Sequence, residues 1–288
     1  MLCLTGSGCA LPPDTGQPEL VVCPYAQAAH QKRGGERLLK RAMTEEAKTA
    51  RAREILNTAE KLFLESGYRD LKMSDIAKAA GISNGLLFVY FKTKETLFLC
   101  LLWREYEKRL DFLEEHVRRK QPESFSDIQA LLLEELTLLL ENNPLYIRLE
   151  ALRAVILERG ADTDTLCRMK KRLSERTDAW SRQLEESGVL SREEIMDIYC
   201  MESGIITGCY QQSLVSASVQ NSLPSTELCM VQRDYRSDIL NGMKCYLEGY
   251  RRRRNGADGA SGCSSASGCS SAKHAEQENT GRPVPITE

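Results

Sequence analysis

Apolar positions recur at helical spacing along most of the chain, and no segment alternates convincingly with a period of two residues. Because residues three and four apart share one face of a helix, this pattern predicts an all-α fold. The predicted helices cover approximately residues 44–66, 73–80, 84–91, 94–121, 127–141, 143–158, 164–186, 191–215 and 226–252. Glycines and capping residues mark several of their ends.

The run from Met73 to Glu95 has the pattern of a helix-turn-helix. Gly81 is suited to the left-handed conformation that often closes a helix, and Ser83 is a suitable N-cap for the next helix. Leu87 and Phe91 lie four apart in that second helix and can dock on the first. Two short helices joined by about three residues including a glycine are typical of a unit that places its second helix in the major groove of DNA.

Charge and composition agree with a DNA-binding module in a globular protein. The net charge is −2, yet residues 32–94 carry 14 Lys and Arg against 8 Asp and Glu, so this part is basic and the remainder acidic. That asymmetry indicates that only the first part meets a polyanion. No apolar run approaches the roughly 18 residues of a membrane span. The first residues lack the pattern of a signal peptide, and we expect a cytoplasmic protein with no membrane partner.

Eleven cysteines and three histidines raise the question of a metal site or a disulfide framework. No C-x-x-C pair occurs and the histidines are scattered, so the spacing predicts neither. We expect reduced thiols that pack as small apolar residues, with thiol sensing by Cys200 and Cys209 as the lesser alternative. His116 is the only histidine in the predicted folded part and has no nucleophile motif or glycine-rich phosphate loop beside it. The sequence therefore predicts no enzyme, no metal and no cofactor.

Both ends of the chain are predicted to be disordered. Prolines and glycines interrupt any regular pattern in residues 1–43, and Met43 lies just before the first predicted helix, so an overlong start is one hypothesis. Residues 253–288 are polar and rich in glycine and serine. Between them we expect a three-helix DNA-binding domain at 44–94 and a helical effector-binding and dimerisation domain at 95–252.

Several ordered motifs resemble the N-terminal domain of the TetR (tetracycline-repressor-like) transcriptional regulators. They are the runs from Ile55 to Tyr68, from Ile76 to Ser83 and from Tyr90 to Glu95, together with Gly85. The rest of the chain resembles that family only in having helices of suitable number and length. The resemblance implies a homodimer that binds a palindromic DNA operator, most often as a repressor, and is released by a small-molecule effector bound in the C-terminal domain.

The second reading helix offers side chains for both base and phosphate contacts. Asn84 can form a bidentate contact with adenine, and apolar side chains nearby can meet thymine methyl groups. Tyr90 and Lys94 resemble the family's phosphate contacts, and free N–H groups at the next helix start add to them. Phe88 stands where tyrosine is common in relatives, and Lys72 where a threonine is common, so the operator sequence is not predicted. The predicted DNA-binding residues are Lys72, Ser74, Ser83, Asn84, Gly85, Leu86, Phe88, Val89, Tyr90 and Lys94.

In the C-terminal part the resemblance implies that the last two helices form a four-helix bundle with those of the partner subunit. Gly204 and Gly208 lie four apart and permit close helix approach, which predicts them at the dimer interface; relief of crowding inside one subunit is the alternative. An apolar effector cavity needs a few polar or aromatic groups. The candidates are Tyr146, Arg148, Glu150, Trp180 and Tyr210, with ordinary packing as the alternative for each.

These observations predict a dimeric, one-component transcriptional regulator. The alternative from another class is a helix-turn-helix that binds proteins and has no operator specificity. Binding to DNA that is selective for sequence and weakens with salt distinguishes the two.

Overall fold

The computed structural model describes residues 35–214, Ser222, Pro224 and residues 233–260, and every element in these ranges is helical. The prediction of an all-α fold is confirmed. The helices are α1 (Gly35–Asp70), α2 (Met73–Ala79), α3 (Asn84–Tyr90), α4 (Lys94–Lys120), α5 (Phe125–Asn142), α6 (Pro144–Leu152), α7 (Glu158–Gly160), α8 (Thr163–Glu185), α9 (Arg192–Ser213) and α10 (Tyr235–Ala260). A π-helical turn, Arg153–Leu157, joins α6 to α7. None of the described helices combines the length and apolar composition that crossing a bilayer requires.

Most helix starts lie close to their predicted positions because the capping residues form the expected bonds. Ser83 Oγ accepts a hydrogen bond from the Leu86 N–H at 3.2 Å, and Asn143 Oδ1 accepts one from the Tyr146 N–H at 3.0 Å. At the start of α9, Ser191 and Glu194 form a reciprocal capping box. Gly81 has the left-handed φ of 65° that the turn between α2 and α3 requires.

The predicted start of the first helix is wrong. Helix α1 begins at Gly35, well before Thr44, because the residues after Gly35 are strong helix formers with no proline among them. Residues 35–43 lie in this helix, and residues 1–34 lie outside the described part. Gly67 interrupts the helical dihedral angles with a φ of 78°, yet helix resumes beyond it as far as Asp70.

The predicted bounds of the last helix are also wrong. Helix α10 begins at Tyr235 rather than near Thr226, and Asp234 Oδ1 accepts a hydrogen bond from the Arg236 N–H at 3.2 Å just before it. The helix continues past Arg252 to Ala260. Arg253 and Arg254 favour helix, whereas Gly256 and Gly259 disfavour it, so helix propensity accounts only for the first residues of the extension. Residues 261–288 lie outside the described part. By compactness, the chain divides into one unit ending at Gly249 and another beginning at Tyr250.

Helix α4 packs against α1, α5, α6, α7 and α8. Its first turns belong to a small core shared with α1, where the Phe98 ring lies 5.3 Å from that of Phe63. Helices α2 and α3 complete this core with Ile76, Leu87 and the cap residue Phe91, all fully buried. We call α1, α2, α3 and the start of α4 the reading head. The prediction of a three-helix unit around this core is confirmed.

A buried cluster of charges joins the helices beyond the reading head. Arg109 of α4 makes two hydrogen bonds of 2.8 Å with Glu135 of α5 and also binds Glu202 of α9. A fourth N–H donates to the Tyr146 hydroxyl of α6 at 2.9 Å. All four side chains are buried. One guanidinium therefore connects four helices through charge-assisted bonds.

Arg109→Leu is expected to lower the free energy of unfolding by about 3–5 kcal/mol, because it leaves two buried carboxylates without their cation. The matched control is Arg118→Leu on the same helix, since Arg118 pairs with Glu115 on the surface. That change should cost about 1 kcal/mol or less. Denaturant unfolding of both variants checks this, and equal small losses would contradict the role given to Arg109.

Candidate DNA interface and effector cavity

Helix α3 exposes its side chains on either side of one buried anchor. Leu87 is fully buried, while Leu86, Phe88 and Val89 are 42%, 47% and 46% exposed. Three large apolar side chains left in solvent on a seven-residue helix are not explained by packing within the chain. Asn84 lies beside them at the exposed helix start. This surface can meet base edges and methyl groups in a major groove.

The other predicted DNA contacts surround this helix. Lys72, Ser74, Ser83 and Gly85 are exposed, and Tyr90 is half-buried. Lys72 lies just before α2, where its backbone N–H donates to Asp75 Oδ2 at 3.0 Å and its side chain is left at the surface. The Ser83 hydroxyl is engaged in capping α3, so its role is at least partly structural.

Lys94 has a structural role that the sequence did not reveal. Its ammonium donates to the Tyr68 backbone carbonyl and lies 3.9 Å from the centre of the Tyr68 ring. Burial lowers the pKa of Lys94, although Glu95 and Asp70 oppose the shift. An ammonium has three N–H donors, so the bond to Tyr68 leaves two for a phosphate. Its phosphate contact stays a prediction.

The start of α4 is held from the other side by Gly160, Ala161 and Asp162, which we call the docking corner. Lys92 pairs with Asp162 at 2.5 Å, and Thr93 Oγ1 donates to the Gly160 carbonyl at 3.0 Å. The Asp162 N–H donates to Thr96 Oγ1 at 2.8 Å. A Cβ atom on Gly160 would lie 2.5 Å from Glu95 Cγ, so a side chain there would displace the Glu95 side chain.

Asp162 also caps α8, accepting from the Thr165 N–H at 3.1 Å. Although burial opposes it, the hydrogen bonds from Lys92 and Thr165 hold the pKa of Asp162 below its usual range. Neither Asp162 nor Lys92 was among the residues predicted to have a role. The spacing from Asp162 to Thr165 is that of a helix cap, but nothing in it indicates a partner 70 residues away.

Of the five predicted effector residues, the structure brings Tyr146 and Glu150 to one cavity, the first cavity, of about 50 Å³. Trp180 lines a different one. Arg148 instead donates to the Leu64 carbonyl of α1 at 3.1 Å, and the Tyr210 ring packs on Tyr235 at 5.2 Å. Neither Arg148 nor Tyr210 lines the first cavity. Arg148 projects from another face of α6 than Tyr146 and Glu150, and Tyr210 lies about two turns beyond Ser203 along α9.

The first cavity has aromatic and aliphatic walls and one polar side. Among its lining residues are Leu99, Trp103, Tyr106, Tyr146, Leu166, Met169, Leu173 and Tyr199. On the polar side Glu150 accepts hydrogen bonds from Tyr106, from Arg153 at 3.0 Å and from Ser203 at 2.6 Å. Arg153 lies in the π-helical turn and also reaches Glu158 at 3.2 Å. Apolar walls with a few convergent polar groups are typical of small-molecule sites.

The second cavity, of about 10 Å³, lies on the far side of Tyr199, which lines both. Arg109, Trp180 and Glu202 are its polar lining residues. Burial raises the pKa of Glu202 to about 7, with Arg109 acting against the shift.

The glycines predicted at a dimer interface lie on α9. Gly204 is exposed, and a Cβ atom on Gly204 or Gly208 would meet nothing within 4 Å. Met201, one turn before Gly204, is 46% exposed. Both positions therefore leave space that a neighbouring helix could fill. Relief of crowding among the described residues does not account for either glycine.

Among the described cysteines, Cys167, Cys200, Cys209 and Cys245 are free thiols. Burial raises the pKa of Cys209, which disfavours the reactive thiolate there. In the same part of the chain no cluster of three His, Cys, Asp or Glu side chains is placed to hold a metal ion.

Comparison with known proteins gives family matches over most of residues 55–254. Residues 55–101 match the family described as bacterial regulatory proteins, tetR family, and residues 104–254, more than half of the chain, match the tetracyclin repressor-like C-terminal domain. The fatty acid metabolism regulator protein of Bacillus subtilis is 31% identical over 67 residues, 23% of this chain and 34% of that protein. The regulator UidR of Escherichia coli K12 is 37% identical over 68 residues, 24% of this chain and 34% of that protein. The chain thus matches about a third of the length of these relatives.

Solved structures are similar at lower identity. A possible TetR family regulator from Streptomyces coelicolor A3(2) has 19% identity and a TM-score of 0.45, with 70% of this chain and 98% of that chain covered. FadR from Bacillus subtilis, solved with stearoyl-CoA, has 18% identity and a TM-score of 0.42, with 66% and 96% covered.

The raised pKa of Glu202 makes stability depend on pH. The folded chain holds this proton more tightly than an unfolded chain with a pKa of 4.5, so stability should fall as pH rises from 4.5 towards 7. The free energy of unfolding of the wild-type chain should fall by on the order of 2 kcal/mol between about pH 5 and pH 8, and Glu202→Gln should remove this fall. Glu141→Gln, at an exposed carboxylate of α5, is the control and should keep the wild-type dependence. Denaturant midpoints measured across this range decide it, and parallel profiles for all three proteins would refute the assignment.

Proposed function

The chain belongs to the TetR family of bacterial transcriptional regulators, and we propose that it is a homodimeric repressor that binds a palindromic operator and is released by a small molecule. The observation that carries the DNA-binding part is the exposed side-chain row of α3 above the buried Leu87. The family consists of transcriptional regulators, which are generally not enzymes.

The basic charge of the reading head favours DNA over a protein as the partner of the exposed α3 side chains. Lys72 and Lys78 of the same reading head are exposed, and the surrounding sequence has a basic surplus. DNA can contact both features, because its phosphates can meet the basic side chains and its thymine methyl groups can meet the apolar row. The protein-interaction module remains the second candidate. A salt titration with operator and random DNA separates them, since the module would show no sequence preference.

Support for the homodimer comes from α9. Gly204 and Gly208 give an open surface for a second helix, and Met201 adds an exposed apolar side chain to it. Two reading heads related by a twofold axis would reach half-sites about 34 Å apart, one DNA turn.

Release by an effector would use the contacts between the first cavity and the reading head. Helix α8 lines the cavity with Leu166 and Met169 and begins at Asp162, which is bound to Lys92. Glu158 lines the cavity two residues before Gly160 of the docking corner. A ligand that favours a different placement of α8 would therefore shift the population of reading-head orientations.

Asn84→Ala is expected to change the sequence preference at one or two operator positions and to weaken the cognate site by about 1–3 kcal/mol. Lys72→Ala should weaken all sequences alike and reduce the salt slope by about 1. Lys108→Ala, in the middle of α4, is the charge control and should leave both unchanged. Binding to an operator library at several salt concentrations measures these effects. Uniform loss after Asn84→Ala would argue against base reading.

Asp162→Asn is expected to weaken binding to the full palindrome by about 3- to 10-fold and to leave binding to a single half-site unchanged. Asparagine caps a helix as well as aspartate, so α8 stays intact while the ion pair with Lys92 is lost. Without the ion pair the reading head would move more freely. Fixing two heads at once on the palindrome would then cost more, whereas one head can bind a single half-site without this cost. Asp164→Asn, at the next carboxylate and exposed, is the matched control. Equal effects on half-site and palindrome would contradict this role for the docking corner.

A further inference from the structure

The second cavity contains two polar atoms that the protein does not satisfy. The Trp180 indole N–H and Glu202 Oε1 have no hydrogen-bond partner among the described residues. Both side chains line this cavity and are buried, with 1% and 3% exposure. Leaving a buried donor or acceptor unpaired costs about 1–3 kcal/mol each. One donor and one acceptor therefore remain available to an occupant.

Arg109 makes most of the polar contacts around these two atoms. It donates to Glu135, to Tyr146 and to Glu202 Oε2, which leaves Glu202 Oε1 as the carboxylate oxygen without a partner. Above about pH 7, where Glu202 is ionised, one buried cation faces two buried carboxylates. This excess of negative charge disfavours an anionic group in the cavity, because a further anion would be buried without a cation.

The size of the cavity limits what can reach these atoms. At about 10 Å³ it admits roughly one oxygen atom with its hydrogen, and both Trp180 and Glu202 line it. A hydroxyl fits this pair, since its oxygen can accept from the indole N–H while its hydrogen is donated to the carboxylate. A carboxylate cannot donate, and a methyl group can do neither.

The rest of such a molecule has to lie elsewhere. Tyr199 lines both the second cavity and the first, whose walls include Trp103, Tyr106 and Leu173. Rotation of this one ring would connect the two. An apolar body in the first cavity would then carry its hydroxyl into the second.

We propose that the effector is a neutral, apolar molecule with a hydroxyl group, which binds between the Trp180 N–H and Glu202 Oε1 while its body occupies the first cavity. The inference rests on the proposed function in taking the first cavity as the effector site. It adds a chemical class of ligand and a polar subsite on the far side of Tyr199.

Four probes of one shape but different head groups test the class: benzyl alcohol, toluene, benzoate and benzylamine. Dissociation constants are measured by ligand-observed NMR at pH 8, where Glu202 is ionised, with the full chain and no DNA. We expect benzyl alcohol to bind at least tenfold more tightly than toluene, because toluene leaves both polar atoms unpaired. Benzoate should bind more weakly than either. Benzylamine should not exceed the alcohol, since an ammonium cannot accept from the indole.

Variants locate the subsite. Trp180→Phe should remove the preference for alcohol over toluene, whereas the matched Trp103→Phe, an indole that lines the first cavity alone, should keep it. Since the sequence has two tryptophans, emission of the Trp103→Phe protein reports on Trp180 and should change saturably with benzyl alcohol. Glu202→Gln removes the charge and keeps an acceptor, so it should relax the exclusion of benzoate and retain the alcohol preference.

Three results would overturn the proposal: equal binding of toluene and benzyl alcohol, an alcohol preference that survives Trp180→Phe, or no saturable binding of any probe. Operator binding is measured separately. A chain that binds its operator but shows no alcohol preference refutes only this inference, whereas loss of operator selectivity refutes the proposed function and leaves the ligand result standing.

Discussion

The fork of hydrogen bonds around Arg109 fixes how the helices beyond the reading head can lie against one another. Its guanidinium is planar and presents its donors in set directions, so Glu135, Tyr146 and Glu202 must approach from defined sides. A hydrophobic contact of the same area would tolerate sliding of one helix along another. A buried, bidentate charge pair does not, because a shift would leave a charge unpaired. The same cluster forms part of the wall between the two cavities.

Helix α4 carries this constraint to the reading head. Arg109 lies near its middle, and its first turns pack on α1 through Phe98 and Phe63. A continuous helix transmits a displacement along its length, since its backbone bonds resist bending. The docking corner touches the same end of α4 through Asp162 and Thr96, and Arg148 of α6 touches α1 at Leu64. Movement around the cavities would therefore reach the head by three separate contacts.

Local chemistry was predictable from the sequence, and long-range partners were not. Ser83, Gly81 and Asn143 act within four residues of themselves, so their caps and turns could be assigned from spacing alone. The same holds for the exposed and buried faces of α3, because periodicity determines them. The partners of Arg109, Lys92 and Arg148 lie far along the chain. Which of many carboxylates and carbonyls they meet depends on how the helices pack.

The lining of the first cavity was predictable only in part, for the same reason. Tyr146 and Glu150 were predicted because an apolar cavity needs polar groups, and they line it; Arg153, Tyr199 and Ser203 line it too but carry no local mark that sets them apart from surface residues. The start of α1 was wrong for a different reason. Prolines and glycines suggested a boundary near Met43, whereas the strong helix formers after Gly35 extend the helix.

The contacts between the cavities and the reading head are weak enough for a ligand to change them. Lys92 has a side chain that is 46% exposed, and an ion pair of that kind contributes about 1 kcal/mol or less. The hydrogen bonds of Thr93 and Thr96 add about 1 kcal/mol each. Reversing a two-state equilibrium from 1:99 to 99:1 needs about 5.5 kcal/mol of differential binding. A ligand that pairs two buried polar atoms would gain a large share of this energy only in the state whose cavity admits it. The proposed release therefore depends both on the unpaired atoms in the core and on the modest strength of the docking corner.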